Sequence, residues 1–335
     1  MMGPVTKDFS KPASRQSPPF YFVLKPGIHA EFAGFSWFCK APFSRSSHHE
    51  RVITLRRAVT QRRLTPVAFD SVGVQPGGAA LQPIPAPAPV SIALGRYHVR
   101  LAATLAEREA ACRLRFRVFN IELGEGLETS YQTGLDQDHF DLFCEHLIVE
   151  DRSRREVVGT YRMQSGAAAA QKLGYYSEQE FDFAPYEAIR NEVLELGRAS
   201  IDREHRTSEV LTMLWRGIAQ YARCYHLRYL LGCSSLNSRE PRDGWAVLDQ
   251  LAPFMAPAPL CTRPTAAFEL PSTDPLPPAD VKVPKLLRTY IAVGARICGA
   301  PAWDREFGTI DFLTLLDLHH LSPAAKHRFL PDAEA

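Results

Sequence analysis

The sequence predicts an α/β fold in which a mixed sheet is flanked by helices, because strand-like and helix-like segments alternate over residues 97–316. Their order is β-α-β-β-(short helices)-β-α-β-α-β, with no internal repeat. The chain has 335 residues, 45% of them hydrophobic and 23% charged, so it can bury a sizeable core. Residues 1–90 lack any sustained helix-like or strand-like spacing of hydrophobic residues. We therefore assign the fold to residues 91–325.

The first 90 residues form a basic, proline-rich segment that we predict to be a mostly disordered extension. They contain 11 of the 39 Lys and Arg residues, 4 of the 37 Asp and Glu residues and 12 of the 26 prolines. Residues 76–90 read PGGAALQPIPAPAPV, a composition that cannot build a packed core. The net charge of +2 is therefore the sum of two different parts, and it gives the whole chain no strong attraction to nucleic acid.

The first predicted elements of the domain are a strand, a helix and a hairpin. Apolar and polar residues alternate in Tyr97–Leu101, as in a strand, and apolar residues recur at helical spacing over residues 106–119. Residues 146–150 and 157–163 are two strands, and the polar turn at 151–156 joins them as a hairpin.

The second half of the domain is predicted to begin with a strand at residues 194–201. Thr207 and Ser208 can cap a long helix that runs to about residue 225. The next strand, 228–233, leads into a polar loop. The remaining segments are a proline-rich excursion at 253–284, a helix at 284–297 and a last strand at 309–316.

The cysteines and the apolar runs indicate the cellular compartment. Seven cysteines occur without any C-x-x-C pair, which argues against a disulfide framework and a zinc knuckle. No segment has as many as 18 consecutive apolar residues, and the short apolar segments near the start are shorter than the hydrophobic core of a signal peptide. We therefore expect a reduced, cytoplasmic protein without a spanning helix.

Familiar catalytic and metal-binding motifs are absent or incomplete. There is no G-x-S-x-G elbow, P-loop or G-x-G-x-x-G motif, and Asp136-Gln-Asp138 lacks the Gly and distal Glu of a calcium loop, so we predict no metal. His146 and Asp151 have the H-x4-D spacing of glycerolipid acyltransferases. Because His146 opens a hydrophobic strand and no F-P-E-G motif follows, we interpret it as a structural residue.

Charged residues cluster at the ends of the apolar elements. Arg115 and Phe119 are four residues apart and share one helix face. Asp138 and Asp141 precede the second predicted strand, and Arg162 ends the third. Each of these alone is more simply a solvated charge or a surface ion pair, but together they indicate a site.

Glu195 and Arg198 are three residues apart in the strand at 194–201. Residues three apart in a regular strand point to opposite faces, so a β-bulge at Gly197 would be needed to bring them to one side. A structural ion pair between Glu195 and Arg198 is the alternative interpretation.

This spacing of residues is similar to that of acyl-homoserine-lactone synthases, a branch of the GNAT-fold (acyl-CoA N-acyltransferase) enzymes. Residues 96–320 resemble more closely a neighbouring branch, the ornithine-lipid N-acyltransferases, also termed hemolysin-like proteins. The motifs that carry the resemblance are Arg115-Phe-Arg-Val-Phe119, Asp138-x2-Asp141-x2-Cys144-x-His146, Val158-Gly-Thr-Tyr-Arg162, Tyr176-Ser-Glu-x-Glu180-Phe-Asp182, Glu195-Leu-Gly-Arg198, Leu214-Trp-Arg-Gly217, Pro284-x-Leu-Leu-x2-Tyr290 and Asp304-x2-Phe307-Gly308-Thr309-x-Asp311.

The resemblance implies a GNAT-like N-acyltransferase domain over residues 91–325. It implies that an acyl group passes from a 3-hydroxyacyl acyl carrier protein to the α-amine of L-ornithine, giving lyso-ornithine lipid. The thioester would be a co-substrate, and no cofactor is expected. Because the product is amphipathic, we also expect peripheral contact with the inner face of the cytoplasmic membrane.

The chemistry of this reaction suggests roles for the clustered residues. An α-amine with a pKa near 8 must lose a proton before it attacks a thioester. We assign Glu195 as the base, with Arg198 as a second catalytic residue, and expect backbone N–H groups of residues 197–199 to stabilise the oxyanion. Asp138 and Asp141 would receive the cationic amino acid, and Arg162 or Arg198 would either hold its carboxylate or order the acidic residues. The substrate-binding set is Arg115, Phe119, Asp138, Asp141 and Arg162.

The turn before the long helix favours a carrier-protein donor. GNAT enzymes bind the coenzyme A pyrophosphate with an R-x-x-G-x-G/A turn at a helix start. The equivalent turn here, Arg203-Glu-His-Arg206-Thr-Ser-Glu209, has no glycine, so side chains obstruct close backbone approach. Four arginines are candidates for docking the carrier protein, with a solvated helix face as the alternative: Arg113, Arg117, Arg203 and Arg206.

Three other functions stay open from the sequence. One is another N-acyl amino acid or acyl-homoserine-lactone synthase, although residues 121–126 replace the Trp of the lactone branch. The second is a glycerolipid acyltransferase that works through His146. The third is a non-catalytic GNAT-like membrane or interaction protein whose basic N-terminal arm carries the function.

Overall fold

The computed structural model describes residues 90–272 and 281–329, so the predicted extension lies outside the described residues except for Val90. One mixed sheet runs through the described part. Its strands are β1 Ser91–Leu94, β2 Tyr97–Leu101, β3 Glu145–Asp151, β4 Glu156–Ser165, β5 Val193–Ile201, β6 Tyr229–Leu236, β7 Arg296–Ile297, β8 Ala302–Asp304 and β9 Thr309–Asp317. The α-helices are α1 Leu105–Phe116, α2 Ser130–Thr133, α3 Gly166–Gln171, α4 Ser208–Cys224, α5 Pro241–Leu251, α6 Lys285–Val293 and α7 Pro323–Phe329.

The strands follow the spatial order β1-β2-β3-β4-β5-β6-β9-β7, and β8 also pairs with β9. Every neighbouring pair is antiparallel except β5 and β6, which are parallel. The predicted mixed sheet and the β3–β4 hairpin are thus confirmed. No helix in the described ranges is long and apolar enough to cross a membrane.

Two predicted helices end differently in the structure. The helical run after α1 continues as a π-helix, Arg117–Leu123, which closes on the left-handed Gly124. The predicted helix at 284–297 stops at Gly294, where φ is +115°, and Ile297 belongs to β7. A polar loop follows β6 as predicted, but it is only residues 237–240, and the helix Pro241–Leu251 that comes next was not predicted.

The long helix α4 packs against one face of the sheet. Thr207 caps it as predicted, since its hydroxyl accepts a hydrogen bond from the Val210 backbone N–H. A Cβ on Gly217 would press on Val99 and Leu147, so this glycine lets α4 approach β2 and β3 closely.

A β-bulge interrupts the pairing of β4 with β5. Arg162 pairs with Gly197, but Thr160 pairs with Ser200, so β5 has one residue more than β4 in this stretch. Arg198 itself takes the left-handed conformation, with φ of +49°. The predicted bulge is confirmed, and it turns β5 at the point where the site lies.

β5 and β6 pair only over three residues and then separate. Their last paired residues are Glu195 and Leu231, although both strands continue beyond them. At the next step, a Cβ on Gly232 would collide with the Leu196 carbonyl oxygen, so only glycine fits there. The diverging strand ends open a gap in the sheet.

Candidate active site

A cleft of about 250 Å³ lies where β5 and β6 separate, and it is the candidate active site. Residues 196–199 of β5 line one side, and residues 233–235 of β6 line the other. The 3₁₀ turn Ser177–Gln179 and the loop before β9 also contribute residues.

Four of the seven predicted catalytic and substrate-binding residues line this cleft: Phe119, Arg162, Glu195 and Arg198. The other three belong to a buried network of ion pairs that reaches Arg162 and Arg198: Arg115, Asp138 and Asp141.

Arg115 is the centre of the network and is 1% exposed. Its Nε donates to Asp136 Oδ1 at 2.7 Å, and its Nη1 and Nη2 donate to the two oxygens of Asp141 at 2.7 and 2.9 Å. Arg162 Nη1 donates to both oxygens of Asp138 at 2.7 Å and lies 3.4 Å from Asp141 Oδ2. Each buried charge therefore has partners of opposite sign.

Arg198 extends the network by binding the same Asp136 carboxylate as Arg115. Burial and the nearby Arg115 lower the pKa of Arg198 to about 9, which leaves the guanidinium charged at neutral pH. The result is an unbroken chain of three cations and three anions, in this order of contact: Arg198, Asp136, Arg115, Asp141, Arg162, Asp138.

Three residues that we predicted to bind substrate do not line the cleft: Arg115, Asp138 and Asp141. Arg115 binds both of its carboxylates away from the cleft, and Asp138 and Asp141 are acceptors for Arg162. Burial opposes ionisation of Asp141, but the hydrogen bond and charge of Arg115 and the charge of Arg162 bring its pKa well below the ordinary value. These groups position the two cleft arginines.

Glu195 lies at the floor of the cleft with its carboxylate held by the neighbouring turn. Oε2 accepts the Tyr176 N–H at 2.8 Å, and Oε1 accepts the Ser177 N–H at 2.8 Å and the Ser177 hydroxyl at 2.7 Å. Glu195 is 5% exposed, and burial raises the pKa of its carboxyl group despite these hydrogen bonds. A fixed carboxylate with a raised pKa is suited to accept a proton near neutral pH.

Glu195 and Arg198 do not form the ion pair that was the alternative interpretation. Glu195 is bound by the turn, whereas Arg198 binds Asp136. The Arg198 guanidinium also lies 4.2 Å from the ring centroid of Phe119 and 5.3 Å from that of Phe307. Phe119 therefore helps to hold Arg198 in the cleft wall.

The surroundings of His146 favour the interpretation that it is a structural residue. It is fully buried, its Nε2 lies 3.4 Å from the Asp141 carbonyl oxygen, and burial lowers its pKa to about 4. Asp151 is five residues away on the same strand, roughly 16 Å at the usual rise per residue. It accepts hydrogen bonds from Ser153 instead, so the two residues cannot act as a catalytic pair.

The sequence analysis did not assign a role in the site to Asp136 or to a cluster of three carboxylates. Asp136 is shared by two arginines, but it was considered only as part of a calcium loop. A second group, three buried carboxylates that line the cleft, comprises Glu180, Asp304 and Asp311. The signal was present, because all three stand in motifs that carried the resemblance.

The structure leaves three of the four candidate docking arginines exposed: Arg113, Arg117 and Arg203. At the surface, Arg117 Nη2 lies 3.4 Å from Asp202 Oδ2. Arg206 differs, because its guanidinium pairs with Glu122 and donates to the Ile201 carbonyl oxygen. It holds the turn before α4 and is a weaker candidate for docking.

Comparison with known proteins supports an acyltransferase. A family model described as an acetyltransferase (GNAT) domain matches residues 114–216, which confirms the predicted fold. An L-ornithine N(alpha)-acyltransferase from Brucella abortus is 30% identical over 257 residues, covering 68% of this chain and 87% of the relative. An L-ornithine N(alpha)-acyltransferase from Rhodobacter capsulatus is 31% identical over 247 residues, covering 69% of this chain and 93% of the relative.

The chain belongs to this family of L-ornithine N(alpha)-acyltransferases. It is therefore an N-acyltransferase, and the non-catalytic alternative is not supported. Among solved structures, an N-acyl amino acid synthase from uncultured soil microbes is 15% identical, covers 67% of this chain and 93% of its own length, and has a TM-score of 0.42.

Proposed function

We propose that the protein transfers a 3-hydroxyacyl group from acyl carrier protein to the α-amine of L-ornithine and so forms lyso-ornithine lipid. The observation that carries the proposal is family membership together with a buried carboxylate, Glu195, at the opening between β5 and β6. Glu195 accepts a proton from the α-ammonium group. The freed nitrogen attacks the thioester carbonyl, an N–C bond forms, the C–S bond breaks, and the carrier thiol leaves with a proton.

Two adjoining cavities suit the two parts of this reaction. The polar cleft holds the carboxylates and arginines, and a smaller apolar cavity next to it includes Trp215, Leu230 and Leu316. Both are lined by Leu196, Cys233 and Tyr290. An amino acid in the first and an acyl chain in the second would meet at this shared wall, beside the β5 backbone at residues 197–199, whose N–H groups are our candidates for the oxyanion site.

The start of α4 supports a carrier-protein donor over free acyl coenzyme A. Thr207 already caps the helix, and Arg206 is engaged by Glu122. A pyrophosphate would have to displace both. The exposed Arg113, Arg117 and Arg203 offer positive charge for an acidic carrier protein.

The experiment incubates purified full-length protein with labelled L-ornithine and either 3-hydroxyacyl carrier protein or the matching acyl coenzyme A. We expect an N-acyl product with at least tenfold higher kcat/KM for the carrier-protein donor. Lysine, glutamine and S-adenosylmethionine in competition test the other N-acyl synthases. The absence of any acylated ornithine would refute the proposal.

We further propose that the protein contacts the membrane peripherally, because its lyso-lipid product partitions into bilayers. Sedimentation with vesicles that contain anionic lipid, followed by a salt wash, tests this. Binding that salt removes is expected, and no co-sedimentation at low salt would count against it.

A further inference from the structure

Three carboxylates converge in the cleft without a matching cation. Glu180, Asp304 and Asp311 each place one oxygen within 4.8 Å of the others. All three residues are at least 95% buried and line the same cleft as Glu195. Within residues 90–272 and 281–329, no Lys, Arg or His forms an ion pair with any of them.

This contrasts with the other buried charges of the site. Each arginine of the network has a carboxylate partner, whereas the three clustered acids have neutral partners or one another: Asp311 hydrogen-bonds with Ser235, Thr309 and Glu180. Asp304 Oδ1 accepts the N–H groups of Glu306 and Phe307, and Glu180 Oε2 lies 3.7 Å from the Cys233 thiol. Burying uncompensated carboxylates is costly unless something binds them.

One oxygen of the cluster has no partner at all. Asp311 is 4% exposed, and its Oδ1 has no hydrogen-bond partner in the part of the chain that the structure describes. The Ser234 hydroxyl, which also lines the cleft, is likewise buried and without a partner. Such groups usually receive a ligand or water when they are buried.

We infer that Glu180, Asp304 and Asp311 form the subsite for the side-chain ammonium group of the acceptor amino acid. This inference rests on the proposed function. An ammonium group carries three N–H donors and no acceptor, which matches three converging carboxylates. With Glu195 in the same cleft, the subsite fixes which of the two amines of ornithine is acylated, because it keeps the side-chain nitrogen protonated and away from the thioester.

The ionisation of the cluster agrees with this geometry. Burial and the charges of Asp311 and Asp304 raise the pKa of Glu180 well above its ordinary value, and burial raises the pKa of Asp311 to about 6. Both shifts show that the buried surroundings disfavour the negative charge of the cluster, and an ammonium ligand would supply the missing positive charge.

The test compares L-ornithine with L-norvaline, which has the same carbon chain but no side-chain amine. The full-length protein should prefer ornithine by at least a hundredfold in kcat/KM. In Asp311→Asn and Glu180→Gln, the preference should fall at least tenfold, mainly through KM for ornithine. Asp249→Asn, an exposed carboxylate on α5, is the matched control and should keep the preference.

Two results would overturn the subsite. One is an unchanged preference in both folded variants, with ornithine and norvaline affected equally. The other is a stoichiometric divalent metal in the purified protein whose removal by chelator abolishes acylation, because the cluster would then be a metal site. If the wild-type protein acylates neither amino acid, it is the proposed function that fails, and the two failures are distinguishable.

Discussion

Glu195 of β5 and Leu231 of β6 are the last residues in register before these two parallel strands separate. The base that we propose therefore lies where the sheet opens, with its carboxylate fixed by Tyr176 and Ser177. Gly232, one residue further along β6, lets the strands approach at the floor of the opening. The position of Glu195 thus follows from the sheet topology.

Replacement of the proposed base should separate activity from folding. Glu195→Gln should lower kcat at least a hundredfold, because an amide cannot accept the proton. The amide can still accept part of the hydrogen bonding from the turn, so we expect a loss of unfolding free energy of only about 1 kcal/mol. Steady-state kinetics and urea unfolding measure the two effects. Glu109→Gln, on the exposed side of α1, is the control, and near-normal kcat in Glu195→Gln would exclude Glu195 as the base.

The ion-pair network should respond strongly to loss of its central cation. Arg115→Met leaves two buried carboxylates, Asp136 and Asp141, without their principal donor. We expect the free energy of unfolding to fall by about 3–5 kcal/mol. Arg113→Met removes an exposed arginine two residues away on the same helix. It should change the free energy of unfolding by less than about 0.5 kcal/mol. Equal effects of the two substitutions would contradict the structural role of Arg115.

Docking of the carrier protein should depend on exposed positive charge. The double variant Arg113→Glu and Arg117→Glu should raise KM for acyl carrier protein about tenfold at low salt, with a smaller effect at high salt, because surface charges act through screened attraction. The control is Arg242→Glu, an exposed arginine on α5. If KM rises equally in the control, these two arginines are not a docking surface.

The carboxylate cluster predicts a dependence of stability on pH. The pKa of Asp311 in the folded protein is raised to about 6, above its value in the unfolded chain, so the folded protein binds the proton more tightly. Stability should therefore fall as pH rises from about 4 to 6. Each pKa unit corresponds to about 1.4 kcal/mol, so the shift from 3.8 to about 6 predicts that Asp311→Asn recovers about 3 kcal/mol above pH 6. Urea unfolding at pH 4.5 and 7.5 measures this, and an equal effect of the substitution at both pH values would contradict it.

Much of the fold could be predicted because its elements carry strong local signals. Tyr97–Leu101 was predicted with its correct bounds, and the Thr207 cap marked the start of α4. The spacing of Glu195 and Arg198 even indicated the bulge. The helix α5 was not predicted, and it contains Gly244, a residue that weakens a helical sequence pattern. In the structure Gly244 packs closely against Leu270 and Ile310, so its lack of a side chain serves tertiary contact.

The members of the candidate site could be predicted more readily than their roles. Asp138, Asp141 and Arg115 were expected to bind substrate, yet their partners come from segments more than 20 residues apart, and spacing alone does not reveal which charges meet. Asp311 belongs to a hydrophobic strand and stood within a motif that was quoted but given no role. Its importance depends on Glu180, which lies far away in sequence and is adjacent only in the folded chain.

The most direct measurement is tandem mass spectrometry of the product that the full-length protein forms from 3-hydroxyacyl carrier protein and L-ornithine. We predict one product in which the acyl group is on the α-nitrogen and the side-chain amine is free. A product acylated on the side-chain nitrogen, or no acylated ornithine at all, would contradict the proposed reaction.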